Sequence, residues 1–314
     1  MNVLRGVLPV LPTPFDETGA IDEPAFQRLV AFALDAGADG IVYPGMASEV
    51  ETLSDAERTA LVAALGRRLE GRIPFVVGAS APDPAKAAAH ARAGATAGAV
   101  AAMVMAPAAA GRDVDRHVAF FSAVARETSL PLMLQNAPAP NGAGLAPEAV
   151  VAIVQAVPAI RYVKEETLPC GQNVGALVKA HAGRLDAVFG GAGARYVLEE
   201  LARGAAGTMP ALEIADFHVA LVRAYRRGAV AQARLLYRES LPLLLVQAIF
   251  RVRLTKEVLA RRGLLASTVA RAAGPALDDE DRAEIARILA DLSPQLPCGP
   301  VLPAKTIPSE THPS

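Results

Sequence analysis

The sequence predicts a (β/α)8 TIM barrel with a C-terminal helical extension. Three observations predict it. Short apolar runs alternate with helical patterns eight times between Gly6 and Pro210. The strand runs are near-continuously apolar, as parallel strands buried on both faces are. After Pro210 the strand signals stop and only helical spacing remains. A chain of 314 residues suits one barrel with an appendage and buries a sizeable core.

The elements follow in order. The first strand is predicted over Gly6 to Leu11, ending in Pro12-Thr13-Pro14-Phe15. Asp22 before Glu23 and Pro24 starts a helix, with an N-cap and then a proline in the first turn. Gly37 ends it. The second strand is Gly40 to Tyr43 and runs into Pro44-Gly45-Met46-Ala47-Ser48-Glu49. Ser54 and Glu57 form a capping box for the next helix, which Gly71 closes. Strand and helix pairs then fall at Ile73–Gly78 with Asp83–Ala93, Ala99–Met105 with Asp113–Thr128, and Leu130–Gln135 with Pro147–Val157. Two more follow, Ile160–Lys164 with Gly171–His181 and Leu185–Phe189 with Ala194–Arg203. Gly207-Thr208-Met209-Pro210 ends the eighth strand. Helices are predicted at Ala215–Arg226, Ala229–Arg251, Thr255–Arg262 and Asp278–Leu292. The barrel is thus expected over 1–212, the extension over 213–293, and a disordered Pro-rich tail over 294–314.

Composition narrows the function. Hydrophobic residues make up 52% and charged residues 20%, which describes a globular chain. Net charge is -1 with no basic patch, which argues against a nucleic-acid partner. Leu241 to Phe250 is the most apolar stretch, but Pro242 and Gln247 interrupt it and it is too short to span a bilayer. Cys170 and Cys298 have neither metal-ligand spacing nor a disulfide framework. Met1 to Gly6 lacks the pattern of a signal peptide, so a cytoplasmic location is expected. His90, His117, His181 and His218 lie on predicted helices away from strand ends, so no metal site is expected. The arginines between Arg251 and Arg262 read as a solvated or subunit-contact helix face.

Barrel enzymes build their sites at the C-terminal ends of the strands. That rule selects Thr13, the 45–49 loop, Ser80, Pro107 to Ala109, Gln135-Asn136, Lys164-Glu165, Gly190-Gly191 and Met209. Only Lys164 among them is a nucleophilic amine. Ile160 and Val163 make its surroundings apolar, and burial disfavours an ammonium. A neutral amine attacks ketones and forms a Schiff base. A plainer reading is a lysine that snorkels to water or pairs with Glu165. Alternation puts Tyr162 with Lys164, and Met133 with Gln135, each pair on one face. Glu165 falls on the opposite face.

Five stretches in order carry a family resemblance: Pro9 to Phe15, Gly45 to Glu49 with Leu53-Ser54 and Glu57-Arg58, Asn136-Ala137-Pro138, Val163-Lys164-Glu165 and Gly190-Gly191. They resemble the first strand, the G-T-T-G-E loop, the Y-N-x-P, the I-K-E/D and the glycine turn of the dihydrodipicolinate synthase / N-acetylneuraminate lyase superfamily. The resemblance covers about Gly6 to Arg262. It implies a class I lyase whose imine forms on Lys164. It implies no metal or nucleotide cofactor, a small 2-oxo acid substrate such as pyruvate, and a homo-oligomer, tetramer or dimer.

The departures matter as much. Met46 and Ala47 replace the family's paired threonines, and Gln135 replaces the tyrosine of Y-N-x-P. The synthase's second relay tyrosine would fall near Pro107 to Ala109 and its arginine near Pro140; both are absent. Ser48-Glu49 and Gln135-Asn136-Ala137-Pro138 are closer to a 2-keto-3-deoxy sugar-acid branch, of which 2-keto-3-deoxyarabonate dehydratases are an example. On that resemblance a dehydratase or aldolase of such an acid is expected. A true dihydrodipicolinate synthase condensing pyruvate with aspartate semialdehyde is the alternative. A 2-oxo-acid binding or regulatory protein without turnover is a third reading. Gly45, Met46, Ala47 and Ser48 would hold the substrate carboxylate, with Asn136, Gly190, Gly191 and Met209 also around the substrate. Gln135 would orient a hydroxyl. Glu49 or Tyr43 would move protons, with loop fixing and core packing as their plainer roles.

Overall fold

The computed structural model describes residues 4–180 and 183–298. Its eight parallel strands are β1 (Gly6–Val7), β2 (Ile41–Tyr43), β3 (Phe75–Gly78), β4 (Ala101–Met105), β5 (Leu132–Asn136), β6 (Ile160–Glu165), β7 (Ala187–Gly190) and β8 (Gly207–Thr208). They follow one another in the order β1-β8-β7-β6-β5-β4-β3-β2. The seam closes through Val10, which bridges to both Val42 and Ala211. This is the (β/α)8 barrel the alternation predicts.

Period-two patterning separates two cores. Val42, Val76, Met103, Met133, Tyr162 and Phe189 point into the barrel with Leu8, Val10 and Met209. Their neighbours Tyr43, Val77, Val104, Leu134, Val163 and Val188 point out, against the helix layer. Ile160 also faces out, although it shares sequence parity with Tyr162. The register shift between β5 and β6 explains this: Leu132 pairs Ile160 but Met133 pairs Tyr162, so Arg161 is an extra residue. Arg161 ion-pairs with Asp186 at the edge of the barrel. The bulge aims Tyr162, and hence Lys164, inward.

The surrounding helices are α1 (Glu23–Asp35), α2 (Asp55–Leu69), α3 (Pro84–Thr96), α4 (Val114–Arg126), α5 (Pro147–Ala156), α6 (Cys170–Ala180) and α7 (Val197–Ala202). Their starts obey capping chemistry. Asp22 accepts the Ala25 N–H at 2.9 Å, and the Ser54–Glu57 box forms as the spacing requires. The helix expected from Ala194 begins only at Val197, because Gly193 and Ala194 take φ of 66° and 64° and break the turn before it. Residue His181, expected to end α6, lies outside the described residues.

The extension comprises α8 (Ala215–Arg226), α9 (Val230–Phe250), α10 (Val252–Arg261) and α11 (Asp279–Leu292). The helix expected from Thr255 starts at Val252, directly after Arg251, which at φ 50°, ψ −120° interrupts the path from α9. Residues 294–298, expected within a disordered tail, are held to the body at two points. Leu296 is buried, and the Cys298 N–H donates to Asp216 Oδ2 at 3.1 Å. The rest of that expected tail, 299–314, lies outside the described residues. Among the described residues no helix is long and apolar enough to cross a membrane.

Candidate active site

Lys164 sits near the C-terminal end of β6 with only 5% of its surface exposed. Its Nζ lies 3.2 Å from Glu166 Oε1. Two residues further along, Glu166 faces the same side as Lys164. Its carboxylate is held from three directions. Gln135 Nε2 donates to Oε2 at 2.7 Å, the Ala192 N–H donates to Oε1 at 3.1 Å, and the Lys164 amine completes the set. Burial alone would raise the pKa of Glu166. The charge of Lys164 and the hydrogen bonds from Gln135 and Ala192 outweigh it, and the net shift is downward. Glu166 is therefore a carboxylate at rest.

Both residues open onto a cavity of about 750 Å3 at the barrel mouth. Gly45, Met46 and Ala47 form the wall opposite Lys164, and Met103, Met105 and Met209 line it as well. Residues 46–48 form a 3-10 turn whose first bond is the Ser48 N–H to Gly45 O, at 2.9 Å. The amides of Met46 and Ala47 precede that bond and are the donors this turn offers.

The other sequence-selected residues are placed differently. Ser48 does not line the cavity: its hydroxyl donates to Leu11 O at 2.5 Å and accepts from the Gly45 N–H at 2.8 Å. It fixes the loop. Tyr43 packs outward on Phe26, ring centroids 4.9 Å apart, and its hydroxyl meets Thr13 Oγ1 at 3.0 Å. Burial raises its pKa further above the usual phenol value. Glu49 is fully buried with φ 56°. Its carboxylate accepts from Lys256 Nζ at 2.5 Å and from the Ala272 N–H at 2.6 Å. It ties the barrel to the extension and faces no substrate space.

Asn136 also turns away. Its amide exchanges hydrogen bonds with the Leu145 backbone, at 2.8 and 2.9 Å, and donates to Glu165 at 2.8 Å. Glu165 accepts from the Thr167 N–H at 2.7 Å and from the Thr167 hydroxyl. Burial pushes its pKa up to about 7. Gln135 reaches no substrate space and instead orients Glu166. Gly190 and Gly191 are required for another reason than expected. A Cβ on Gly190 would fall on the Glu200 carboxylate, and one on Gly191 would fall on Glu166. Glu200 is fully buried without a hydrogen-bond partner, and burial, then the charge of Glu166, raises its pKa to about 8.

Sequence reasoning passed over Glu166, although the alternation that pairs Tyr162 with Lys164 also selects it. It also passed over Arg195 in the loop after β7, and had no signal for Gln247, which lines the cavity from α9, or for Lys256, which reaches Glu49 from α10. Arg251 and Arg253, expected on a solvated or subunit-contact face, line the cavity. Among the described residues no group of His, Cys, Asp and Glu is arranged to hold a metal ion.

A sequence model described as the dihydrodipicolinate synthetase family matches residues 3–292. The chain belongs to that family. It is an enzyme of the family's lyase class. An L-2-keto-3-deoxyarabonate dehydratase of Azospirillum brasilense is 29% identical over 294 residues, covering 92% of this chain and 95% of the relative. A 4-hydroxy-tetrahydrodipicolinate synthase of Stenotrophomonas maltophilia is 33% identical over 147 residues, covering 47% of this chain and 50% of the synthase. The crystal structure of dihydrodipicolinate synthase from Rhodopseudomonas palustris superposes with a TM-score of 0.85 at 27% identity, over 92% of this chain and 98% of that one.

Proposed function

We propose that the chain forms a Schiff base between Lys164 and a 2-oxo acid and dehydrates a 2-keto-3-deoxy sugar acid, with Glu166 carrying the protons. The observation that carries this is the 3.2 Å contact between the Lys164 amine and a fixed carboxylate at the floor of the cavity. Lys164 attacks the ketone carbon, and Glu166 takes the amine's proton and returns it to the departing water. The protonated imine draws electrons from C3. Glu166 removes a C3 proton and an enamine forms. The enamine expels the C4 hydroxyl, which leaves as water with the proton Glu166 has stored.

Charge makes Glu166 a better base at the moment it is needed. Lys164's charge lowers the pKa of Glu166 and burial raises it. When the enamine forms, the nitrogen's positive charge is gone and burial remains. The carboxylate's proton affinity rises as the C3 proton arrives. The Met46 and Ala47 amides are the donors for the substrate carboxylate across the cavity.

Three features favour dehydration of a sugar acid over condensation of pyruvate with aspartate semialdehyde. The tyrosines of the synthase relay are absent, Glu166 stands beside the lysine, and the dehydratase resemblance extends over 95% of that relative. A cytoplasmic homo-oligomer working without a metal or nucleotide cofactor belongs to the same reading. The test is incubation with 2-keto-3-deoxy pentonates and hexonates, followed by mass spectrometry of the products. Loss of one water without release of pyruvate is the expected result. Release of pyruvate and an aldehyde would make the enzyme an aldolase. No turnover of any such acid, with pyruvate and aspartate semialdehyde condensed instead, would overturn the reading.

A further inference from the structure

The cavity is far larger than a pyruvate-sized ligand fills, and its rim is unevenly charged. Four basic residues line it, Lys164, Arg195, Arg251 and Arg253, against two acidic ones, Glu51 and Glu166. Glu166 is committed to Lys164. That leaves three arginines and one further carboxylate, Glu51, around the cavity.

Arg195 is fixed in place. Arg195 follows β7 and is locked by α9. Its Nη1 donates to Gln247 Oε1 at 2.9 Å and to Leu244 O at 3.3 Å, and its own carbonyl accepts from the Tyr237 hydroxyl at 2.5 Å. The guanidinium lies against Gly193, next to the Ala192 amide that holds Glu166. Among the described residues no carboxylate pairs with it. Arg251 occupies a backbone conformation that a residue with a side chain rarely adopts, φ 50° and ψ −120°, between α9 and α10. Arg195 and Arg251 are close enough for each charge to act on the other. Among the described residues the side chains of Arg251 and Arg253 have no hydrogen bond or ion pair. Arginines further along the extension do: Arg261 meets Glu257 at 2.7 Å, Arg262 meets Asp216 at 2.6 Å and Arg271 meets Glu57 at 2.8 Å. Among the described residues none of the three arginines lining the cavity has an ion pair.

We infer that Arg195, Arg251 and Arg253 form a subsite for a second anionic group at the far end of the substrate, so that the enzyme prefers 2-oxo acids bearing a terminal carboxylate or phosphate. The inference rests on the imine reading, which places the ketone carbon at Lys164 and the first carboxylate at residues 46–47. The arginines line the same cavity as Lys164 and residues 45–47, so a substrate longer than pyruvate shares that cavity with them. Guanidinium forks bind carboxylate and phosphate oxygens in pairs, which gives direction as well as affinity.

The test is isothermal titration with matched ligands: 2-oxohexanoate against 2-oxoadipate, and a 2-oxo-3-deoxyhexonate against its 6-phosphate. The expected result is a preference of at least about tenfold for one dianion of a pair, as charged hydrogen bonds contribute, weakening as salt rises. The favoured pair tells carboxylate from phosphate. Arg195→Gln and Arg253→Gln should collapse the preference ratio. Equal affinity within both pairs overturns the inference, as does an equal loss for both members of a pair in the variants. Titration of Lys164→Ala separates the two readings. The charge preference survives there if the arginines carry it, whether or not an imine forms in the parent enzyme.

Discussion

Lys256 and Glu49 form a fully buried ion pair, Nζ to Oε1 at 2.5 Å, that joins the helical extension to the loop after β2. Lys256 also donates to Val269 O at 2.6 Å and lies 4.3 Å from the centre of the Phe15 ring. The pair fixes the loop that carries Met46 and Ala47, so the extension sets one wall of the site. Removing one partner strands a charge. Lys256→Met should destabilise the fold by about 3–5 kcal/mol in denaturant unfolding. Adding Glu49→Gln should recover part of that loss, because no unpaired charge then remains. A double variant as unstable as the sum of the singles would contradict this role.

Glu166→Gln keeps the shape of the side chain and removes its basicity. Turnover should fall by roughly 10²–10⁴-fold, the range for loss of a positioned acid-base group. The imine with pyruvate should still form, since Lys164 is intact. Rapid-quench kinetics beside adduct trapping would read both. A kcat within a few-fold of the parent would remove Glu166 from the proton path.

Gly191→Ala tests how closely Glu166 must be placed. The added methyl would push on the Glu166 carboxylate. A shift of about 1 Å at a catalytic group costs on the order of 100-fold in rate. The expected outcome is a large loss of kcat with little change in thermal midpoint. Unchanged kcat would contradict the close fit.

The buried acids give stability a pH dependence. Burial raises the pKa of Glu200 to about 8, and of Glu165 and Glu213 to about 7, from an ordinary 4.5. The folded state binds protons there that the unfolded state has already released. Stability is therefore fully present below about pH 4.5 and is lost as pH rises through about 7 to 8. Glu200→Gln removes one ionisation and should be more stable than the parent at pH 8 by about 1–3 kcal/mol, with a smaller difference at pH 5. Urea unfolding at the two pH values measures it. A parent enzyme whose stability rises across that interval by the action of these groups would contradict the assignment.

Local signals carried the fold and the place of Lys164 near a strand end. Apolar runs marked the strands, and Asp22, Ser54 with Glu57 and Asp278 marked helix starts, because capping is decided within four residues. Orientation was harder to read. For Tyr43 the sequence leaves two roles, proton transfer at the site or core packing, and its side chain takes the second, against Phe26 in the helix layer. The extra residue Arg161 reset the alternation in β6, and nothing local announced it. Ser48, Asn136 and Gly190-Gly191 sit at strand ends, as barrel sites do, but they hold the scaffold. A strand end gives position without saying which way a side chain turns. Arg251 reaches the mouth, and Lys256 reaches Glu49, through contacts between segments far apart in sequence, which no window of sequence contains.

The central claim is that Lys164 forms the imine. The direct measurement is borohydride reduction in the presence of pyruvate or a 2-keto-3-deoxy sugar acid, followed by peptide mass spectrometry. One reduced adduct on the peptide containing Lys164, absent in Lys164→Ala, is the predicted result. No adduct with any 2-oxo acid, or an adduct on another lysine, would contradict the account.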